Sequence, residues 1–540
     1  MTPRIDALVN NLEQTLPHAL EQHDVPGAAV GICDSEEILW CAGFGTTARH
    51  QGTPIDTSTR FSVQSTSKLY TATSVLLAVE ASELDLDEPI TSYLPEFTVR
   101  SVFENAPATK ITLRHLLSHT AGFTHEAPIG SNYSIGEGDF EAHCQSISDT
   151  WLRFPVGHHH EYSNLGIDLA GYIIQRTHGM PFEEYVRQEL FEPLGLRRST
   201  FDLDVIEADE KRAIGHWKPF EEAGKPLPVK VPMVAAGGLY TSVADALRYV
   251  QNHLRDGEDL LDGALLQEQY RIAYPAPGQS FGYGLGLYAD EWEPGVLVRH
   301  HGGSGFGFQA QLCWVPDLDV GIVMLTNSFD HSLQNETAHR IVEWLAPAPT
   351  RRVAPAPNDG GETSGADTSS ADLGALAGEY VGRLDDRVRV LAENGRLRLR
   401  GAEMSEATLT GADAMTLWNA RRDRLRFLRD ADGRVRYLQT LRDGQVRYRN
   451  DAATTPPSTL DPKHAGTYVA AAWGVPVATY RIFQDGESPV IGRLDDDEDA
   501  IALRLTAIGP HLYLSAMGEV LDLGSAPPTY ANIPLTRVRE

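Results

Sequence analysis

Residues 346–372 constrain the architecture more than any other stretch, because they separate two parts of the chain with different hydrophobic periods. The segment opens on Ala-Pro repeats and continues in Gly, Ser, Thr and Asp, with hardly a large apolar side chain. Such a composition cannot bury enough surface to offset the entropy of ordering it, so it reads as a flexible linker. The expected units are therefore 1–345 before it and 373–455 and 462–540 after it.

Before the linker, the periods are mixed. Ile5 to Glu21 has helical spacing, while Gly27 to Ile32 and Ile38 to Trp40 read as two strands joined at Asp34-Ser35-Glu36. A helix is expected from Ser65 through Val79, with others at Thr112 to Leu117, Ile167 to Gln175 and His339 to Leu345. Gly282 to Tyr288, Ala310 to Trp314 and Val320 to Leu325 read as strands. Strands near both ends with helices outside them predict an α+β unit, an antiparallel sheet flanked by helices.

Beyond the linker the period falls to two. Val388, Val390, Leu397 and Leu399 alternate with arginines around Asn394-Gly395, and Asp432-Gly433 and Asp443-Gly444 are further hairpin tips. The arginines through 387–449 are the wet face of a half-buried sheet. Ala377-Gly378-Glu379-Tyr380-Val381 recurs as Ala465-Gly466-Thr467-Tyr468-Val469, an offset of 88 residues (468 − 380). Two small antiparallel β-barrels are the expectation.

The chemistry concentrates in three motifs of fixed order: Ser65-Thr66-Ser67-Lys68, Tyr162-Ser163-Asn164 and His301-Gly302-Gly303. A serine and a lysine three residues apart share one face of a helix. A phenol and an imidazole from elsewhere complete a proton-handling site, the composition of an acyl-transferring serine hydrolase. His301 is chosen over His300 because the glycine pair follows it directly. His158-His159-His160-Glu161 does not read as a metal site, because successive side chains on extended backbone point to opposite sides. His115 and His119 read as structural.

Around these motifs, Leu113-Arg114-His115-Leu116-Leu117-Ser118-His119-Thr120-Ala121-Gly122-Phe123 is similar to a segment typical of class C β-lactamase-like serine hydrolases. So are Phe191-Glu192-Pro193-Leu194-Gly195-Leu196, Ala236-Gly237-Gly238-Leu239-Tyr240-Thr241, and Gly302-Gly303 followed by Gly307-Phe308. The resemblance runs from about residue 20 to 345. It implies Ser65 as nucleophile, Lys68 beside it, and Tyr162 as general base and then general acid. Asn164 orients Lys68 or bonds the substrate, and His301 keeps Tyr162 and substrate aligned. Gly303 and Ser304 line the substrate position, and the backbone N–H groups of Ser65 and Ser304 form the oxyanion hole.

Better-known members of that family carry Lys-Thr-Gly or His-Thr-Gly at the third motif, where the threonine hydroxyl holds a substrate carboxylate. Gly302 supplies no hydroxyl, which argues against a β-lactamase or D,D-carboxypeptidase. A catalytic unit followed by two barrels resembles the three-domain D-aminopeptidases, whose barrels resemble lipocalins and whose last barrel sends a loop to the active site. A segment of 465–540 is therefore expected to cover the cleft. The implied activity is hydrolysis of small peptides or amides through an acyl-serine. The alternatives are a carboxylesterase, a β-lactamase/D,D-carboxypeptidase-like enzyme and, less favoured, a non-catalytic binding protein.

Composition excludes some partners. A net charge of −28 disfavours nucleic acid and anionic membranes. No stretch approaches 18 uninterrupted apolar residues and Met1 to Asn10 lacks a signal-peptide core, so a cytoplasmic location is expected. Cys33, Cys41, Cys144 and Cys313 are scattered and read as small hydrophobes. No metal or cofactor is expected; the partner is a small molecule or short peptide, and a homo-oligomer stays open. Asp495 to Asp499 reads as a solvated hairpin tip.

Overall fold

The structure, a computed structural model, describes residues 2–50, 52–130, 132, 138–258, 260–273, 282–329, 331–346, 373–382, 387–393, 396–400, 404–411, 414–417, 424–429, 433–440, 446–450, 458–472, 474–494 and 502–538. The linker beyond Ala346, the tips Asn394-Gly395 and Asp443-Gly444, Asp432, and the acidic stretch 495–499 lie outside the described residues.

A seven-stranded antiparallel sheet organises the first part. Its order is Ile38–Gly45, Gly27–Cys33, Val320–Thr326, Phe308–Val315, Val296–Gly305, Tyr288–Glu293 and Gly282–Tyr283. The three strands Gly27–Cys33, Phe308–Val315 and Val320–Thr326 are buried along their whole length. That is why they read as continuous apolar runs rather than alternations. Ile5, Leu8, Leu12, Leu16 and Leu20 form the buried stripe of the Thr2–Gln22 helix, which packs with the Leu333–Leu345 helix on one sheet face. Against the other face lies the larger helical core, with Ser67–Glu80 and Asn164–His178 at its centre.

Two strand expectations need correction. Gly282 to Tyr288 is not one strand: it is two, joined by a turn over 284–287 that packs on the Lys68 helix. A Cβ at Gly286 would lie 2.7 Å from the Lys68 carbonyl oxygen, and its φ of 76° is left-handed, so the turn closes only on glycine. Val296–Gly305 went unrecognised because Gly302, Gly303 and Gly305 dilute its strand propensity.

Beyond residue 373 the strands form two closed eight-stranded barrels, Gly378–Val381 to Val446–Arg449 and Gly466–Ala472 to Ile533–Arg537. The repeated pentapeptide does the same work in each. Tyr380 donates its hydroxyl to the Leu376 carbonyl at 2.8 Å, and Tyr468 donates to His464 at 3.0 Å. Arg449 clamps the carbonyls of Ala375 and Ala377 while Arg537 clamps those of Lys463 and Ala465, at the same offset. Among the described residues no helix is long and apolar enough to cross a membrane.

Candidate active site

Ser65 stands in a short 3-10 turn, Gln64–Thr66, that joins the Phe61–Ser62 strand to the Ser67–Glu80 helix. The turn is sharp because Gln64 adopts a left-handed φ of 50°, held by its Nε2–H bond to Ser62 Oγ at 2.7 Å. Thr66 N–H and Oγ1–H both reach the Val63 carbonyl, and Ser67 Oγ–H reaches that of Gln64. The helix behind it is buried on nearly every face.

Lys68 is fully buried, and its ammonium points at three oxygens: Ser65 Oγ at 3.1 Å, Asn164 Oδ1 at 2.8 Å and the Ala236 carbonyl at 2.8 Å. Burial lowers its pKa from 10.5 to about 7, opposed in part by the Asp168 carboxylate. Asp168 also accepts from the Ala236 N–H at 2.9 Å and so fixes the carbonyl that Lys68 uses. His143 closes the group at 3.2 Å from Asp168. Burial, the largest single influence, works against the charge of that imidazole, but the bond and charge of Asp168, the Ile129 carbonyl and the Glu126 carboxylate together raise its pKa.

Tyr162 and Asn164 flank the start of the Asn164–His178 helix, whose N-cap Ser163 accepts from the Leu165 N–H at 3.1 Å. The Tyr162 ring centroid lies 4.9 Å from Lys68 Nζ, 4.4 Å from the His119 ring and 6.1 Å from the His301 ring. Ser65 and Tyr162 face one cavity of about 850 Å³, which Asn164, His301, Gly303 and Ser304 also line.

The third motif sits on Val296–Gly305, with its glycines against the nucleophile turn. A Cβ at Gly303 would lie 2.0 Å from the Val63 carbonyl oxygen and 3.2 Å from the Ser65 nitrogen. Only glycine lets the two backbones approach so closely. His301 is buried, whereas His300 pairs with Asp290 at 3.1 Å and stacks on Tyr288.

A chain of hydrogen bonds assigns the tautomers. The Ser163 N–H, which can only donate, reaches His119 Nδ1 at 3.3 Å. His119 therefore carries its proton on Nε2 and donates to the Tyr283 hydroxyl at 3.0 Å. Tyr283 then donates to His301 Nε2 at 3.2 Å, and His301 donates from Nδ1 to the Gly302 carbonyl at 2.6 Å. Burial and the neighbouring Lys68 push the His301 pKa down to about 3, and burial depresses that of His119, so both imidazoles are neutral. His119 does not line the cavity and keeps the structural role its sequence context suggested, holding the Ser163 N–H and Tyr283 behind the Tyr162 ring. Tyr283 was missed altogether, although an aromatic between Gly282 and Gly284 was there to be noticed.

The three histidines at 158–160 take different directions. His158 approaches the Arg429 carbonyl, His159 stacks on Phe154 and bonds the Tyr448 hydroxyl, and His160 packs against His119 and Tyr283. Asp461, His464 and His511 form a second titratable cluster, but Lys463 already stands 2.9 Å from the Asp461 carboxylate. No described residue of 465–540 lines the cavity, against the expectation of a covering loop. The second barrel touches the outer side of the wall instead, where Asn532 donates to the Glu126 carbonyl at 2.8 Å. Glu126 does not line the cavity itself, but its carboxylate holds His125, a lining residue, at 2.8 Å. The described lining residues include Asp290 and Glu291 and no lysine or arginine.

Known proteins resemble this chain in sequence and in fold. The Beta-lactamase family profile matches residues 11–346. "Penicillin-binding protein 4" of Amycolatopsis lactamdurans is 29% identical over 326 residues, covering 57% of this chain and 82% of that protein. "Esterase EstB" of Burkholderia gladioli is 26% identical over 369 residues, covering 60% of this chain and 91% of the esterase. Among solved structures, the octameric penicillin-binding protein homologue from Pyrococcus abyssi superposes with a TM-score of 0.55 at 21% identity. It covers 82% of this chain and 100% of its own. SurE, solved with D-Leu, gives 0.54 at 23%, covering 83% and 100%.

Proposed function

The chain belongs to the β-lactamase family, and from that premise we propose that it hydrolyses small peptides or amides through a covalent acyl-Ser65 ester. The reading keeps three units, 1–345, 373–455 and 462–540, with the chemistry confined to the first. The observation that carries it is the setting of Lys68 Nζ. Two of its three partners, Asn164 Oδ1 and the Ala236 carbonyl, can only accept; the third, Ser65 Oγ, can accept or donate.

As an ammonium, Lys68 donates to all three. As a neutral amine it keeps the two fixed bonds and turns its lone pair on the Ser65 hydroxyl. With a pKa near 7 both forms are populated at neutral pH. Ser65 Oγ bonds to the substrate carbonyl carbon while its proton passes to Nζ, and the carbonyl oxygen takes the negative charge. The backbone N–H groups of Ser65 and Ser304 hold that oxygen, each contributing about 3 kcal/mol. Tyr162, beside Nζ, delivers the proton to the departing amine nitrogen, and the C–N bond breaks. Water then attacks the ester by the reverse route. In this reading Lys68, which bonds Ser65 Oγ at 3.1 Å, takes the first proton, where the sequence reading gave it to Tyr162. His301, neutral and held by Tyr283, lines the cavity beside the Tyr162 ring.

The substrate reading rests on charge. Asp290 and Glu291, with no cation among the described lining residues, oppose a substrate carboxylate and suit a free amine. D-aminoacyl amides come first. Esters are the second reading, favoured by the likeness to Esterase EstB. A fluorophosphonate probe should label Ser65, and Ser65→Ala and Tyr162→Phe should each remove nearly all turnover while His158→Ala does not. A folded wild-type protein without the adduct would overturn the acyl-enzyme. Nitrocefin turnover far above that of D- and L-aminoacyl p-nitroanilides and p-nitrophenyl esters would overturn the substrate class.

A further inference from the structure

We propose that Glu519, carried by the second barrel, is a positioning residue for Tyr162, acting through a buried junction centred on Arg153. Its effect on turnover rests on the role given to Tyr162 above; its effect on the position of that ring does not.

Arg153 has a side chain only 4% exposed, yet it is charged. Its Nη1 pairs with Glu161 Oε1 at 3.1 Å and its Nε with Glu519 Oε1 at 3.0 Å. Nε and Nη2 also donate to the Met517 carbonyl, at 3.1 and 2.8 Å. The barrel reaches this depth because Gly518 has no side chain: a Cβ there would lie 2.6 Å from the Arg153 carbonyl oxygen. The first barrel joins from the other side. Tyr448 donates its hydroxyl to Glu161 Oε2 at 3.2 Å, and its ring lies 5.2 Å from the guanidinium.

Both chain neighbours of Tyr162 end in this junction. On one side Glu161 is held by Arg153 and Tyr448. On the other, Ser163 Oγ–H donates to the Thr124 carbonyl at 2.5 Å, and Thr124 Oγ1–H donates to Glu519 Oε2 at 2.6 Å. His119 closes the loop from within, accepting from the Glu161 N–H at its carbonyl and from the Ser163 N–H at Nδ1. Glu519 is the group common to both routes.

Buried ion pairs contribute little to net stability compared with apolar packing, but each member is essential once the others are there. Three charged side chains from separate parts of the chain are satisfied at a single point, one residue from Tyr162. Such an arrangement specifies geometry rather than affinity, and a misplacement of about 1 Å costs roughly a hundredfold in rate. The barrels therefore complete the setting of the catalytic phenol, although neither places a described residue in the cavity.

The test uses the full-length protein with 3-fluorotyrosine at position 162, in wild type, Glu519→Ala, Glu519→Gln and Thr124→Val. Glu519→Ala should shift or broaden the 19F resonance and lower kcat by roughly tenfold to a hundredfold, with KM changed by less than about threefold. Glu519→Gln, which still offers Thr124 an oxygen, should recover part of both effects. A 19F resonance at its wild-type position with unchanged kcat in folded Glu519→Ala would overturn the proposal. If circular dichroism shows that variant unfolded, Thr124→Val decides on the same readouts, since it cuts only the route to Ser163. A wild type with no turnover and no Ser65 adduct would sink the acyl-enzyme reading, while the 19F comparison would still decide this one.

Discussion

Replacing Tyr283 by Phe deletes one oxygen from the relay that sets the tautomers of His119 and His301. The hydroxyl accepts from His119 Nε2–H at 3.0 Å and donates to His301 Nε2 at 3.2 Å, and both histidines are 2% exposed. The change thus strands one donor and one acceptor where water has little access. Each stranded group costs about 1–3 kcal/mol, so the loss of stability should be roughly 2–6 kcal/mol. The chemical effect is separable from the energetic one. Without a donor at Nε2, His301 is free to carry its proton there and to turn from the Gly302 carbonyl. Long-range 15N–1H correlation spectra should show wild-type His119 protonated on Nε2 and His301 on Nδ1, with the His301 pattern mixed in Tyr283→Phe. The turnover of the best amide substrate should fall by about tenfold or more, as for loss of one aligned hydrogen bond in the transition state. A wild-type His301 protonated on Nε2 would refute the reasoning outright. So would a Phe variant with unchanged spectra and unchanged thermal unfolding.

The glycines of the third motif should differ sharply in tolerance. Gly303→Ala drives a Cβ to 2.0 Å from a backbone oxygen, so denaturant melts should show a loss of the order of 3 kcal/mol together with loss of Ser65 labelling. Gly302→Ala meets the Gln311 side-chain oxygen at 3.1 Å and the Ala310 carbonyl oxygen at an ordinary 3.8 Å, and should stay within about 1 kcal/mol of wild type. Acylation measured by stopped flow should rise through a pKa near 7 as Lys68 loses its proton, then level off. A rate that instead falls through that value would mean that the charge of Lys68 supports a Tyr162 phenolate. Because burial sets the folded pKa of Lys68 below its ordinary 10.5, the unfolded chain holds the extra proton between about 7 and 10.5. Its contribution to stability therefore rises with pH across that window.

The linear chain determined the parts that depend on local pattern and on chemical type. The helices and the wholly buried strands come from apolar spacing, though the strand Val296–Gly305 does not, and the two barrels come from period-two alternation and a repeated pentapeptide whose tyrosine makes the same bond twice. Ser65, Lys68, Tyr162, Asn164, His301 and Ser304 could be named as candidates from the order of the three motifs and the family resemblance around them, and the fold brings them to one cavity. Tertiary structure alone decided every property set by distances between remote residues. The split at 284–287 is imposed by the Lys68 helix beneath it, which leaves no room for a side chain at Gly286. The protonation of Lys68, His119 and His301 comes from burial and from partners as remote in sequence as Lys68 is from His301. Arg153, Glu161 and Glu519 look in the sequence like any other surface charges, and only their enclosure between the catalytic unit and a barrel makes them a junction. Side-chain identity is local, but dielectric surroundings and hydrogen-bond direction belong to the assembled molecule.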